Sequence, residues 1–471
     1  MKLDKSITVS LIVAIAFFMQ NLDTTAVNTA IPAMARSFNT DVIHLSAGVT
    51  SYLIALAIFI PVSGWIADRF GTRKVFCSAI IFFILASTLC GFSESLTQFI
   101  MFRILQGMAG AMMTPVGRLA VLKVTPKENL VTAMAYITWP ALVAPILGPL
   151  VGGYLTTYWS WHWIFFLNIP ISILCVFLAW HYIPDEKDEN KLKSRFDFVG
   201  FVLSGLALAG FMFGVELLSR KEVPYYVSAI IILVSLGLLA FNILYSRHIS
   251  NPLIDYSVIK IPTYKVTIFT GSLSRMVIGV TPYLVPLMFQ EGFGLNPFES
   301  GILFLSTMAG NLAMKPATIW VMRHYNFRTV LIVNGFLVSL FTFLTSLLLP
   351  QTPTVLIVTV MFLSGMFRSM QFSAITTLAF ADVPQPQMTP ANTLYSTVQQ
   401  MSTGMGIAMG AVFLRFSNMI NNGEANHYSV SDFHLSFIFV AILGIISLYG
   451  YTKLTPDAGD VVRVKKRDRN G

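Results

Sequence analysis

Gly64-Trp65-Ile66-Ala67-Asp68-Arg69-Phe70-Gly71-Thr72-Arg73-Lys74 is the stretch from which the fold can be read. It is a polar turn set between two apolar runs, near 44-66 and 75-92. Each run approaches the roughly twenty residues that carry a helix across a hydrocarbon core about 30 Å thick. Arg69, Arg73 and Lys74 mark the turn as one of the basic loops that stay on the side of synthesis. The pattern occurs twice: Trp65-Ile-Ala-Asp-Arg-Phe-Gly-Thr-Arg73 aligns with Trp320-Val-Met-Arg-His-Tyr-Asn-Phe-Arg328, with Asn326 in the place of Gly71. Gly and Asn adopt left-handed backbone most readily, so the same tight turn is expected at both places. Each copy closes the second apolar run of a six-run block. Two six-helix halves follow.

Outward from these turns, apolar runs lie near 7-35, 97-121, 130-155, 161-182, 198-219, 225-246, 264-290, 298-321, 329-349, 354-380, 390-416 and 432-453. With the first two they make about fourteen spans, an all-α integral membrane protein. The composition agrees, with 55% hydrophobic and 11% charged residues, against about 25% charged in soluble domains. The organisation expected is an N-terminal half over 1-183, a cytoplasmic loop plus two extra spans over 184-262, a C-terminal half over 263-454 and a basic tail over 455-471. Parallel repeats of this kind are built around a central solute path.

Charge supports the layout. One set of gaps holds Arg69, Arg73, Lys74, Lys123, Lys127, Lys187, Lys191, Lys193, Arg195, Arg247, Lys260, Arg323 and Arg328, and so is cytoplasmic. The opposite set holds Glu94, Glu291, Glu299 and Glu424, with Arg220 and Lys221 as its exception. An even number of spans puts both termini in the cytoplasm. The net charge of +9 is spread over alternate loops and forms no nucleic-acid stripe. Cys77, Cys90 and Cys175 sit in apolar runs without metal-site spacing, so neither disulfide nor metal is expected. The first run carries Asp23 and lacks a small-residue cleavage pattern, so it reads as a retained span.

The motifs resemble those of the major facilitator superfamily, and within it the fourteen-span drug:proton antiporter branch, over nearly the whole chain. Residues 64-74 are similar to the family's loop between spans two and three. The resemblance implies that Gly64, Asp68, Arg69, Gly71 and Arg73 act as a latch between the halves in the outward-facing state. Physically, Asp68 can pair with Arg73 or a helix N-terminus, weakly enough to break in each cycle. A plain basic turn would carry the same residues. Leu22-Asp23-Thr24-Thr25-Ala26-Val27-Asn28-Thr29-Ala30-Ile31-Pro32 resembles the branch's first-span motif, and Arg103-Ile-Leu-Gln106-Gly107-Met-Ala-Gly110 its fourth-span motif. A carboxylate within a span costs about 2.5–3.5 kcal/mol and takes a partner or faces a cavity. Arg103 is the partner expected for Asp23, and opening that pair raises the carboxyl pKa, as a proton carrier requires. A structural ion pair would use the same two residues. Residues 139-153 resemble the antiporter motif of exporting members, with Pro145, Gly148, Pro149, Gly152 and Gly153 shaping packing and bending, and Ala144 where a first Gly is usual. Trp161-His162-Trp163 resembles a further hallmark of the branch, His162 being read as interfacial. Gln399, Gln400, Gly404 and Gly406 are similar to a thirteenth-span pattern and are read as packing.

In this superfamily the first and fourth helices of each half line the cavity. Here these carry Asp23, Arg103, Arg275 and Arg368, one acid against three bases, which favours an anionic or zwitterionic substrate. Gln371, Tyr136 and Trp139 are expected to join Arg275 and Arg368 in the substrate cavity. Lys315 and Glu216 are expected to snorkel toward the interfaces. No phosphate-binding loop of the GxxxxGK[ST] type occurs, so no cofactor is expected and the energy is assigned to a proton gradient. The function implied is a proton-coupled exporter in the inner membrane, multidrug-efflux-like, with a dedicated exporter of an anionic metabolite such as a carboxylate siderophore as the alternative. A monomer, no enzymatic activity, and small molecules, protons and the lipid bilayer as partners complete the expectation.

Overall fold

The computed structural model describes residues 5–40, 42–184, 195–219, 223–422 and 428–462, and these contain helices and no strand. In chain order the helices are α1 (Lys5–Ser37), α2 (Val42–Phe59), α3 (Val62–Phe70), α4 (Thr72–Gly91), α5 (Leu96–Val124), α6 (Leu130–Tyr158), α7 (Trp163–Phe166) and α8 (Asn168–Tyr182). There follow α9 (Phe198–Ser219), α10 (Tyr225–Ser246), α11 (Pro262–Leu287), α12 (Pro297–His324), α13 (Phe327–Thr345), α14 (Thr354–Ala381), α15 (Met388–Asn422) and α16 (Val430–Tyr451). Of the loop charges, Lys187, Lys191, Lys193, Arg220, Lys221 and Glu424 lie outside the described residues, as does the basic tail from Arg463 onward.

The helices form two repeated six-span halves. In the first, α1 packs on α6, α5 and α8, while α5 packs on α2 and α4, and α4 on α8. In the second, the same plan recurs with α11, α12, α13, α14, α15 and α16 in the places of α1, α2, α4, α5, α6 and α8. The extra helices α9 and α10 pack on each other, and α9 rests on both α2 and α15. The all-helical, two-halved fold is therefore the one expected.

Among the described residues, ten helices are long and apolar enough to cross a membrane, or eleven when α2 and α3 are taken as one span bent by 58°. The bend falls at Pro61, which has no N–H to continue the α2 ladder. Three further helices, α6, α12 and α15, have 29, 28 and 35 residues.

The two copies of the turn are alike in one respect and different in another. Trp65 meets Phe70 edge-on at 6.5 Å, and Trp320 meets Tyr325 edge-on at 6.1 Å. Gly71 has φ 88°, the left-handed region that favours glycine. Asn326 does not: its φ is −72°, and its side chain accepts the Thr329 N–H at 3.0 Å as the N-cap of α13. The expectation of a left-handed Asn326 is corrected. Asn serves two kinds of turn, and here it starts a helix.

Candidate functional site

The N-terminal half encloses one acid. Asp23, in α1, is 1% exposed and Arg103, in α5, is 0% exposed. Arg103 Nη1 donates to Asp23 Oδ2 at 2.9 Å, while Gln106 Nε2 and Asn168 Nδ2 donate to Oδ1 at 3.0 and 2.8 Å. Arg103 Nη1 also reaches Gln106 Oε1, and its guanidinium lies 4.3 Å from the centre of the Tyr52 ring. Arg103 Nε and Nη2 have no hydrogen-bond partner among the described residues. The carboxylate is thus held by one cation and two amides from two other helices, the partners a buried carboxyl group requires.

Two cavities lie in the centre of the molecule, and the first adjoins this pair. The first, about 400 Å³, is lined by Gln20, Asn21, Thr24 and Tyr52 from the N-terminal half and by Ser396, Gln399 and Gln400 from α15. Asp23 and Arg103 are in neither wall. They lie one layer back, behind Tyr52 and Thr24. Arg118, 7% exposed, crosses this cavity, with Nη1 donating to Ser396 at 3.2 Å and Nη2 to Gln399 at 3.3 Å. Arg118 is not among the residues expected here from the sequence. Its spacing from Gly110 and Thr114, four residues at a time along one face of α5, is the signal that places it in the wall.

The second cavity, about 260 Å³, lies in the C-terminal half and shares Thr138 and Phe372 with the first. Arg275, Lys315 and Arg368 all line it, and among the described residues no Asp or Glu does. Arg368 is spent on neutral oxygens: Nε donates to Ser364 at 3.0 Å, Nη2 to Thr342 at 3.1 Å and Nη1 to the Ile278 carbonyl at 3.2 Å. Arg103-x-x-Gln106 in α5 recurs as Arg368-x-x-Gln371 in α14, but only the N-terminal half supplies an acid. That repeated spacing was legible in the sequence and unused.

Other expected residues fall differently. Gln371 is buried away from the cavity, accepting from Asn334 at 2.9 Å and donating to the Leu331 carbonyl at 3.3 Å, so it ties α14 to α13. Tyr136 is absent from both walls because Met134, Ile137 and Thr138 form the cavity face of α6, and Tyr136 lies off that face. The side chains of Trp139, Pro145 and Pro149 lie outside the described residues. Lys315 does not snorkel: it is 4% exposed, with Nζ 2.8 Å from Ser373 Oγ. Glu216 is half-buried near the end of α9.

In the antiporter motif, Gly148 allows close approach, since a Cβ there would press on Thr25 Oγ1 and lie 2.7 Å from its Cβ. Gly152 is buried. Gly153 has nothing within 4 Å of where a Cβ would lie, so it serves no such contact.

At the end of the molecule that carries the basic loops, polar contacts join the halves. Gly64 lies against Thr393 and Thr389 of α15, and Asp68 accepts from Thr389 at 2.8 Å and faces Lys123 at 3.8 Å. Arg73 lies against Trp180, 5.1 Å from its ring centre. Arg69 lies 5.3 Å from the Trp65 ring centre. Lys127 Nζ donates to the carbonyls of Phe380, Ala381 and Val383, the last two at 2.5 and 2.6 Å, and so caps the C-terminus of α14 from the other half. Burial holds its ammonium below the ordinary lysine value, with Asp382 pulling the other way. Arg323 donates to Thr132 at 2.9 Å, and Asn392 to the Pro115 carbonyl at 2.8 Å.

Two repeated six-helix halves around central polar cavities define the architecture of a secondary transporter. The Major Facilitator Superfamily model matches residues 13–409 and 268–468, and the chain belongs to that superfamily. It is a multi-pass inner-membrane transport protein, not an enzyme. Relatives named multidrug resistance protein MdtD match along the whole chain. The one from Pectobacterium atrosepticum is 32% identical over 448 residues, 95% of each chain. Those from Serratia proteamaculans and Escherichia coli O6:H1 are 35% identical over 433 residues and 32% over 464, covering 91% and 98% of this chain and 88% and 97% of theirs. Among solved structures, the human organic anion transporter MFSD10 (TETRAN) has a TM-score of 0.65 at 11% identity, covering 95% of this chain and 98% of its own. The proton:xylose symporter XylE bound to 6-bromo-6-deoxy-D-glucose also gives 0.65, at 12% identity, with 96% and 97% covered. These two likenesses are of fold.

Proposed function

We propose that the protein is a proton-coupled antiporter that exports small molecules of the multidrug-efflux type, with Asp23 as the proton carrier and Arg103 as the cation that governs it. The observation that carries this reading is the burial of Asp23 with a single cation, one layer behind the cavity wall. Withdrawal of Arg103 as the halves rock leaves a carboxylate in a low dielectric, where it takes up a proton, and return of Arg103 expels it. The basic loops support a cytoplasmic location for their end of the molecule and, with an even number of spans, for both termini. The helices α6, α12 and α15 complete fourteen crossings, and the working unit is a monomer. The contacts of Gly64, Asp68 and Lys127 close the cytoplasmic end.

Two tests follow. In a weakly buffered solution of the purified full-length protein with a pH-indicator dye, ethidium or benzoate is expected to release protons from the native chain and none from Asp23→Asn. Equal release from both would remove Asp23 from the mechanism. Lys127→Met is expected to weaken the closed cytoplasmic end by about 1.5–3 kcal/mol or more, the value of at least one hydrogen bond from a charged donor. A single cysteine placed at Ser396 would then react several-fold faster with a water-soluble maleimide from the cytoplasmic side.

A second reading, a dedicated exporter of an anionic metabolite such as a carboxylate siderophore, is favoured by the three cations and absent carboxylates of the second cavity wall. Competition between matched anions and cations for efflux separates the two readings.

A further inference from the structure

We propose that Lys315 and Arg275 form a carboxylate-binding subsite in the cavity of the C-terminal half, with Lys315 as the residue that sets specificity for an organic anion. This rests on the second reading above, that the exported compound is an anion, and assigns the residues that would recognise it. Three cations line this cavity, but they are not equivalent. Arg368 has an acceptor on each of its three nitrogens, all neutral oxygens of the fold. It is satisfied in place and has little left to offer a ligand.

Arg275 is the opposite case. It is 2% exposed, and its Nε and Nη2 have no hydrogen-bond partner among the described residues. Its one acceptor is the Thr267 carbonyl at 3.4 Å, and its guanidinium lies 4.6 Å from the centre of the Tyr395 ring. Lys315 has three donors and, among the described residues, one acceptor, Ser373 Oγ at 2.8 Å, at 4% exposure. Buried N–H groups left without acceptors are costly, and buried cations without a counter-charge more so. The N-terminal half answers that cost with Asp23; among the described residues the C-terminal half has no acid in the cavity wall. A bound carboxylate would supply both the missing charge and the missing acceptors. Asn311, Thr281 and Thr403 in the same wall offer neutral polar contacts for the rest of such a molecule, and Phe304 and Phe372 an apolar surface.

The position also suits transport. The cavity shares Thr138 and Phe372 with the first cavity, so an anion in it lies beside the central space between the halves. Lys315 projects from α12 and its partner Ser373 from α14, helices that meet backbone to backbone at Gly310 and Gly365. The ammonium is thereby held in a fixed place.

The test uses the full-length protein in lipid nanodiscs and reads ligand-induced shifts in melting temperature with benzoate, benzamide and benzyltrimethylammonium. Benzoate is expected to stabilise the native chain more than the other two. Its apparent Kd is expected to weaken about tenfold or more in Lys315→Met, as for removal of one partner of a buried charge pair. Empty Lys315→Met is expected to melt no lower than the native protein, because it removes a buried cation and leaves only a serine hydroxyl behind. Should the variant melt lower, Lys315→Arg, which keeps the charge, must restore benzoate binding; failure to do so makes Lys315 structural and overturns the proposal. Unchanged benzoate binding in Lys315→Met, or preference of the native chain for the cation, also overturns it. Benzoate binding without benzoate efflux would sink the anion-export reading and leave the subsite standing.

Discussion

Asp23→Asn is expected to abolish gradient-driven export while the protein stays folded and still exchanges substrate across the membrane. Asn has nearly the shape of Asp and can still accept from Gln106 and Asn168, which now reach Oδ1 at 3.0 and 2.8 Å. It cannot take up a proton, and it leaves Arg103 without a counter-charge at 0% exposure. Breaking a buried pair in this way costs about 3–5 kcal/mol. Here the remaining Gln106 contact and the Tyr52 ring offset part of that cost. The measurement is paired: substrate counterflow, which needs no proton movement, is retained, and uphill efflux is lost. Loss of both with a lowered melting temperature would mean that the pair is structural.

Gly365→Leu is expected to prevent folding of the C-terminal half. A Cβ on Gly365 would press on the Thr307 carbonyl oxygen and lie 2.8 Å from its carbon, and one on Gly310 would meet Phe362 in the same way. The obstructing atoms are backbone, so no rotamer can yield and α12 must part from α14. Overpacking of this kind costs about 3 kcal/mol or more, without counting the lost register of Lys315 against Ser373. Gly153→Leu is the control, with open space at its Cβ and a normal melting temperature expected. Fluorescence-detected gel filtration of the two variants separates them directly. A monodisperse Gly365→Leu of native stability would contradict the close approach of the helices.

The spans, the halves and the Asp23–Arg103 pair were legible because each depends on local pattern: a run of apolar residues, a repeated turn, a charge where hydrocarbon forbids one. What was not legible depends on which way a side chain points after packing. Lys315 read as a snorkelling residue from its place in the second half of α12, yet His324 closes that helix nine residues on, about 14 Å away along the axis. A lysine stem cannot cover that distance, and so the residue stays inside. Tyr136 and Gln371 sit on helices that do line the cavities, but on the wrong faces. Asp68 meets Thr389 across the halves and Lys123 from α5 of its own half, both distant in the chain, where spacing along one loop says nothing. Gly148 and Gly153 belong to one motif, and only packing tells the contact glycine from the idle one.

The most direct test of proton-coupled export by Asp23 is made in proteoliposomes loaded with ethidium or benzoate, with and without an imposed pH gradient. The prediction is efflux accelerated by the gradient in the native protein and indifferent to it in Asp23→Asn. Efflux that ignores the gradient in the native protein, or responds equally in both, would contradict it.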